Sequence, residues 1–232
     1  MSLAGHNGIV FSGVSHSYGE RTVLDGIDLT LSESRVGVIG ANGSGKSSLA
    51  RMINGLVTPS WGKIVVNGLD VAKQGAEVRR HVGFVFPNPD AQIVMPTVAE
   101  DVAFSLRRRK LPRDQVDHLV GEVLARFGLA GHRDHPAHLL SSGQKQLLAI
   151  AAIMVTEPSV LVCDEPTTLL DLRHSRQVAD LLAGLSQQVI LVTHQLDLLM
   201  DWGRVVVIDG GKVVHDGPGR ESVAFYRELM SC

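Results

Sequence analysis

The stretch Gly40-Ala-Asn-Gly-Ser-Gly-Lys-Ser-Ser48 fits the phosphate-loop pattern G-x-x-x-x-G-K-[ST] at every fixed position. The residues before it, Arg35–Ile39, are largely apolar and predict a strand, and Ser47–Asn54 predict a helix. A chance glycine-rich turn is the alternative, but such a turn requires neither the fixed positions nor both flanks. The stretch therefore predicts an α/β fold with a site for a nucleoside triphosphate.

The residue types of this loop suit a polyphosphate. Its glycines let consecutive backbone N–H groups point into one concavity, and the following helix adds the positive end of its dipole. Lys46 can reach the β- and γ-phosphates, and the Ser47 hydroxyl can bind Mg²⁺. The predicted triphosphate-binding residues are Gly40, Ala41, Asn42, Gly43, Ser44, Gly45, Lys46, Ser47 and Ser48.

Two later strands are predicted to end in polar side chains. The apolar run Ser159–Glu165 ends in two acids, and a buried strand rarely ends this way without a cation or a reaction to serve. We expect Asp164 to hold Mg²⁺ through water and Glu165 to polarise the attacking water. His194 follows the strand Val189–Thr193. A lone histidine is more often a packed or exposed ring, but parallel strand ends converge on one crevice, so we expect His194 near Glu165.

The remaining elements surround this predicted parallel sheet. The hairpin signal Asn67-Gly68 and several short strands predict a small antiparallel sheet beside the nucleotide. Helical spacing between Gln92 and Gly143 predicts an inserted helical lobe, so we expect a core of residues 1–91 and 144–232 and a lobe at about 92–143. The first predicted strands are Ile9–Phe11, Val14–Tyr18 and Val23–Leu31.

Composition limits the classes of function. The 232 residues carry a net charge of −2, which gives no field for nucleic acid. Met1–Val10 lacks the pattern of a secretory signal, and the apolar run Leu147–Val155 is too short to span a bilayer, so membrane contact would need a partner. Cys163 and Cys232 suggest reduced thiols in a cytosolic protein rather than a disulfide framework.

The turn Leu140-Ser-Ser-Gly-Gln144 is the most discriminating motif, because Ser141 can cap a helix whose free N–H groups form a second anion site. When this turn is considered together with the other motifs, nearly the whole chain resembles the ATPase subunit of ATP-binding-cassette (ABC) transporters. The stretches similar to the family's Walker A, Walker B, signature, D-loop and switch motifs are Gly40–Ser48, Ser159–Glu165, Leu140–Gln144, Leu169–Asp171 and His194. In the signature, Ser142 replaces the first glycine of LSGGQ.

The resemblance implies a P-loop NTPase (RecA-like) core with a mixed sheet, a small antiparallel β subdomain and an inserted helical lobe. It also implies an ATPase that uses ATP and Mg²⁺, with Lys46, Glu165 and His194 catalytic, Tyr18 stacked on adenine and the D-loop residue Asp171. The residues that reach the partner subunit's ATP would be Ser141, Ser142, Gly143 and Gln144. One chain cannot close both anion sites on one ATP, so a head-to-tail homodimer or paralogous ATPase dimer is implied.

A narrower resemblance lies in Val85–Gln92 and Pro96–Phe104, which are similar to the energy-coupling-factor (ECF) group of importers for vitamins and transition-metal ions. The short C-terminus looks most like the biotin-importer ATPase. The implied partners are a transmembrane coupling subunit and a substrate-binding membrane subunit, with this chain peripheral on the cytoplasmic face of the cell membrane. The substrate itself would be recognised by those membrane subunits.

One position departs from the family pattern. Pro87 stands where the family usually has a glutamine that contacts Mg²⁺ and the attacking water, and proline offers neither a side-chain ligand nor an N–H group. Either the contact is missing, or Asn88 or water replaces it. We expect Asn88 not to reach the metal, because Pro89 holds it extended. The same loop is expected to touch the membrane partner, so Pro87 could affect either hydrolysis or coupling.

Three rival functions remain open at this point. A non-transport ATPase, such as a DNA-repair or chromosome-organising head, would need a long coiled coil between the phosphate loop and Leu140, and this interval carries no sustained heptads. A small-molecule P-loop kinase would have no use for Leu140–Gln144. A purely regulatory nucleotide-binding module would have no use for Glu165 and His194.

Overall fold

The computed structural model describes residues 8–231, and the expectations for the first seven residues and for Cys232 lie outside this range. The strands in chain order are β1 (Ile9–Tyr18), β2 (Arg21–Leu31), β3 (Arg35–Gly40), β4 (Trp61–Val66), β5 (Leu69–Asp70), β6 (Val82–Val85), β7 (Val160–Asp164), β8 (Gln188–Val192), β9 (Arg204–Asp209) and β10 (Lys212–Gly217). The α-helices are α1 (Lys46–Ile53), α2 (Gly75–His81), α3 (Val98–Leu106), α4 (Arg113–Arg126), α5 (Ser142–Met154), α6 (Leu172–Ala183) and α7 (Gly219–Leu229).

The larger sheet has six strands in the order β10-β9-β3-β8-β7-β6. All neighbours pair in parallel except β9 and β10, which form an antiparallel hairpin. Every residue of β7 is buried, as expected for a strand covered on both faces. The parallel arrangement brings the ends of β3, β7 and β8 to one edge, where the polar motifs follow.

The smaller sheet is antiparallel, in the order β2-β1-β4-β5. Its β4–β5 hairpin turns at Asn67 and Gly68, which have φ of 48° and 84°, as a type I′ turn requires. The prediction of separate strands before and after Ser12 was wrong. A register shift near Gly13 lets one continuous strand, β1, pair with β2 on both sides of the irregularity.

Helices α3, α4 and α5 form the helical part of the chain and share one hydrophobic cluster with the larger sheet. Val102, Leu124 and Leu148 lie in this cluster together with Leu161 of β7 and Leu191 of β8. Because one cluster joins the helices to the sheet, α5, which begins at the signature turn (Leu140–Gln144), packs against the strands. None of the helices within residues 8–231 is both long and apolar enough to cross a membrane.

Helix α2 is an element that the sequence patterns did not predict. Val78 is its one buried side chain, so its sequence lacks the apolar periodicity that identifies a helix packed along a whole face. The helix is set by what surrounds it, since it joins β5 to β6 through contacts with both strands.

Candidate functional site

The phosphate loop joins β3 to α1 and has the backbone geometry that its glycines allow. Gly45 caps α1 with φ of 106°, in the left-handed region that favours glycine. A methyl group on Gly40 would lie 2.0 Å from the backbone oxygen of Ile208 on β9, so no larger residue fits there. The loop is therefore shaped by the neighbouring strand as well as by its own sequence.

Lys46 lies folded over this loop and is 6% exposed. Its Nζ donates hydrogen bonds to the carbonyl oxygens of Gly40 and Ala41, at 2.9 and 2.8 Å. Burial lowers the pKa of Lys46, while the carboxylates of Glu165 and Asp164 act in the opposite direction. A desolvated cation held at the loop is suited to receive phosphate oxygens.

The loop also has an unused polar group. The Ser44 hydroxyl oxygen is buried and has no hydrogen-bond partner. Buried polar groups are nearly always paired in folded proteins, so an unpaired hydroxyl beside a cradle of N–H groups fits an absent anionic ligand. This observation and the geometry of Lys46 agree with the predicted triphosphate site.

Asp164, at the end of β7, contacts two side chains of α1. Ser47 Oγ donates to Asp164 Oδ1 at 2.8 Å, and Arg51 Nη2 lies 3.4 Å from Asp164 Oδ2. Burial raises the pKa of Asp164, and the hydrogen bond from Ser47 and the charge of Arg51 oppose this effect. The hydroxyl and the carboxylate form an oxygen-donor set of the kind that Mg²⁺ prefers. Arg51 was not predicted as part of the site.

Glu165 follows Asp164 with φ of 52°, a conformation uncommon for a residue other than glycine and often found at active sites. Its backbone N–H donates to Val192 of β8, and its side-chain Oε2 lies 2.7 Å from His194 Nδ1. The Thr168 hydroxyl also donates to this oxygen at 3.2 Å. The structure thus places Glu165 and His194 in contact, as expected from their positions after neighbouring strands.

The hairpin between β1 and β2 reaches the phosphate loop. Tyr18 at its tip is 52% exposed and contacts His16 edge to face, with 4.5 Å between ring centroids. Arg21, across the turn, approaches Gly43 so closely that a methyl group on that glycine would lie 3.4 Å from Arg21 Nη2. The sequence predicted the strands Val14–Tyr18 and Val23–Leu31 on the two sides of this turn, but it gave no signal that Arg21 would lie beside the loop.

The signature turn lies at the start of α5. Ser141 and Gln144 form a reciprocal capping box, in which Ser141 Oγ accepts from Gln144 N at 3.3 Å and Gln144 Oε1 accepts from Ser141 N at 3.0 Å. Ser141 and Ser142 are exposed, whereas Gly143 is buried. Gln144 Nε2 also lies 3.0 Å from His132 Nε2, a contact that the sequence did not suggest.

The signature turn makes its hydrogen bonds with residues other than those of the phosphate loop. Among residues 8–231, no hydrogen bond joins Leu140–Gln144 to Gly40–Ser48. Asp171 lies beside the signature turn as the N-cap of α6, where its Oδ1 accepts from His174 N at 2.9 Å. The sites predicted from the sequence therefore form two groups, one around Lys46 and one around Ser141.

The first group defines an α/β phosphate-loop protein that binds a nucleoside triphosphate at the ends of parallel strands. The family model described as "ABC transporter" matches residues 24–168, and the chain belongs to this family. It is thus the ATP-binding subunit of an ABC transporter and an ATPase, with the α/β fold expected from its sequence.

Similar proteins carry more specific names. The chain is 42% identical over 223 residues to the biotin transport ATP-binding protein BioM of Rhizobium etli, covering 96% of this chain and 99% of the relative. It is 40% identical over 232 residues to the energy-coupling factor transporter ATP-binding protein EcfA1 of Symbiobacterium thermophilum, covering 93% and 81%. The solved structure of cbiO1 from Clostridium perfringens, part of the ABC transporter complex cbiONQ, matches with a TM-score of 0.85 and 31% identity, covering 96% and 93%.

Proposed function

We propose that this chain powers an ECF-type importer through ATP-driven closure of a dimer. The observation that carries the proposal is that Glu165 and His194 lie in contact beside the phosphate loop, whereas Ser141 and Ser142 of the signature turn are exposed. A single molecule cannot bring both to one ATP, whereas two copies arranged head to tail can. A paralogous ATPase subunit could take the place of the second copy.

Each group in the site has a distinct proposed role. The backbone N–H groups of the loop and Lys46 bind the phosphates, and Tyr18 stacks on adenine. Glu165 accepts a proton from the attacking water, and His194 orients the Glu165 carboxylate through the 2.7 Å contact. Ser47 and, through water, Asp164 would hold Mg²⁺, which would neutralise charge on the phosphates. We assign Asp171 and the signature residues to the partner's site.

The proposed partner surface is the loop Phe86–Gln92, which connects β6 to the helical part. A transmembrane coupling subunit would dock there, beside a substrate-binding membrane subunit, with this chain peripheral on the cytoplasmic face. The helical lobe at about 92–143, set into a core of residues 1–91 and 144–232, would carry the signature turn during closure. Biotin is the substrate that the likeness to BioM favours.

The Phe86–Gln92 loop has its side-chain amides engaged. Asn88 Oδ1 accepts from Asp90 N at 3.0 Å with its backbone extended, and Gln92 Oε1 accepts from Phe86 N at 3.2 Å. These hydrogen bonds hold both amide oxygens within the loop. We propose that Asn88 does not bind the metal, so that this contact is either missing or made by water, and an ATP-bound structure with the Asn88 side chain on Mg²⁺ would refute this.

Steady-state hydrolysis tests the catalytic assignment. Replacing Glu165 with Gln removes the proton acceptor but keeps the shape of the side chain, so turnover should fall about 100-fold or more while ATP binding is retained. Lys46→Ala should instead weaken ATP binding itself. Undiminished turnover of Glu165→Gln, with binding unchanged, would contradict the proposed role. Phosphate transfer to a small molecule without ATP-dependent dimerisation would favour the kinase alternative.

A further inference from the structure

Gly143 of the signature turn packs against a histidine from another helix. A methyl group on Gly143 would lie 2.4 Å from His174 Cδ2 and 2.8 Å from His174 Cγ, well inside the normal distance between carbon atoms. His174 belongs to the first turn of α6, and it lies outside each motif recognised in the sequence. The imidazole ring thus fills the space that a side chain at position 143 would need.

The ring is held in place by Asp171. His174 Nδ1 lies 2.9 and 2.8 Å from the two carboxylate oxygens of Asp171, and the His174 backbone N–H donates to Asp171 Oδ1 at 2.9 Å. The two hydrogen bonds from His174, first from its backbone and then from its side chain, lower the pKa of Asp171. Because both the ring and the backbone of His174 are bound to one carboxylate, the ring cannot turn away from Gly143 without breaking this arrangement.

The backbone at Gly143 does not itself require glycine. Gly143 lies in the first turn of α5 and is absent from the glycines with positive φ. Alanine is the best helix former, so on conformational grounds alanine would be favoured at this position. Within this chain, the His174 ring is the group that a side chain at position 143 would meet.

We propose that His174 is a positioning residue that locks the signature turn and the Asp171 turn of one subunit into a single unit. This inference rests on the proposed function, because both turns are assigned to the partner subunit's ATP. With the ring between them, Ser141–Gln144 and Asp171 approach the partner nucleotide together. Without it, each turn would have to be ordered separately when the dimer closes.

A double-mutant cycle on Gly143 and His174 tests the lock. In a Glu165→Gln parent, Gly143→Ala, His174→Ala and the double variant are compared by the dissociation constant of the ATP-bound dimer, measured by analytical ultracentrifugation. We expect Gly143→Ala to raise this constant about thirty-fold when His174 is present, and about three-fold or less when residue 174 is alanine, because residues in contact are coupled. Equal effects in both backgrounds would overturn the proposal.

Measurements of Tm distinguish a variant that dimerises weakly from one that is unfolded. If Gly143→Ala is unfolded at the assay temperature, His174→Ala should raise its Tm, since removing the ring relieves the overlap, and a Tm that stays low would contradict the lock. ATP affinity for the phosphate loop should be the same in all four proteins. A parent that binds ATP but does not dimerise would refute closure by a second copy of this chain, which separates that failure from failure of the lock.

His118→Ala provides a matched control. His118 also lies near an acid on its own helix, 3.4 Å from Glu122, but its side chain is 70% exposed on α4. Its removal should leave the dimer dissociation constant unchanged. If His118→Ala weakens the dimer as much as His174→Ala does, a general loss of charge rather than the contact with Gly143 would explain the result, and the proposal would fail.

Discussion

The phosphate loop and the signature turn are both proposed anion sites at helix starts, yet they differ in what surrounds them. The phosphate loop makes its contacts within its own chain. Lys46 Nζ donates a hydrogen bond to the Gly40 carbonyl oxygen, and Gly40 packs against β9. The signature turn has a satisfied cap, but Ser141 and Ser142 are exposed. We therefore expect the first site to bind ATP alone and the second to need a surface from a partner subunit.

The largest effect should come from a substitution that breaks the internal packing of the phosphate loop. Gly40→Ala places a methyl group 2.0 Å from Ile208 O, so we expect the free energy of unfolding to fall by about 3 kcal/mol and ATP binding to be lost. Gly26→Ala is the matched control, because Gly26 has φ of 60° but open space around it, and it should cost only about 1 kcal/mol. Urea unfolding compares them, and equal losses would contradict an internally packed loop.

An intermediate effect should distinguish the capping box of α5, at Ser141, from a second capping box, at Thr97 of α3. Ser141→Ala and Thr97→Ala each remove a side-chain cap, from α5 and α3, and should each lower the free energy of unfolding by about 1 kcal/mol. Only Ser141→Ala should also weaken the ATP-bound dimer, because only Ser141 is assigned to the partner's ATP. Thermal unfolding and the dimer dissociation constant, measured on both variants, check this. A similar loss of dimer affinity in Thr97→Ala would remove the special role of the signature turn.

The smallest expected effect comes from Asp101 in α3, which lies in the sequence between the phosphate loop and the signature turn. Asp101 is 3% exposed, and its Oδ1 accepts from the N–H groups of Val94 and Met95 at 2.8 and 3.0 Å. Burial raises the pKa of Asp101, and these two hydrogen bonds oppose the shift. The folded chain therefore binds this proton more tightly than the unfolded chain, so the stability that Asp101 contributes is full below the unfolded pKa and is lost as the pH rises through the folded pKa.

Asp101→Asn isolates this contribution, because the amide oxygen can still accept both hydrogen bonds without carrying a charge. The free energy of unfolding of Asp101→Asn relative to the unsubstituted protein should increase as the pH rises from 4 to 7. Urea unfolding across this range measures the difference, in which the effects of the other carboxylates cancel. A difference that decreases with rising pH would show that the hydrogen bonds to the ionised carboxylate outweigh the cost of its burial.

The fold and the first site could be predicted to a large extent, because their signals are local. The loop Gly40–Ser48 and the strand ending in Asp164 and Glu165 each carry their chemistry in a short stretch. Arg21 and His174 could not be predicted, because tertiary packing alone brings them to Gly43 and Gly143. Helix α2 was missed for a related reason, since its single buried residue, Val78, leaves no periodic pattern.

The mass of the Glu165→Gln protein in solution tests the difference between the two sites most directly. With ATP and Mg²⁺ it should sediment at twice the 24.9 kDa of one chain, and without nucleotide, or with Lys46→Ala added, it should sediment as one chain. A protein that binds ATP yet remains at 24.9 kDa would show that the exposed signature turn does not complete the site of a second copy, and would contradict closure through a homodimer.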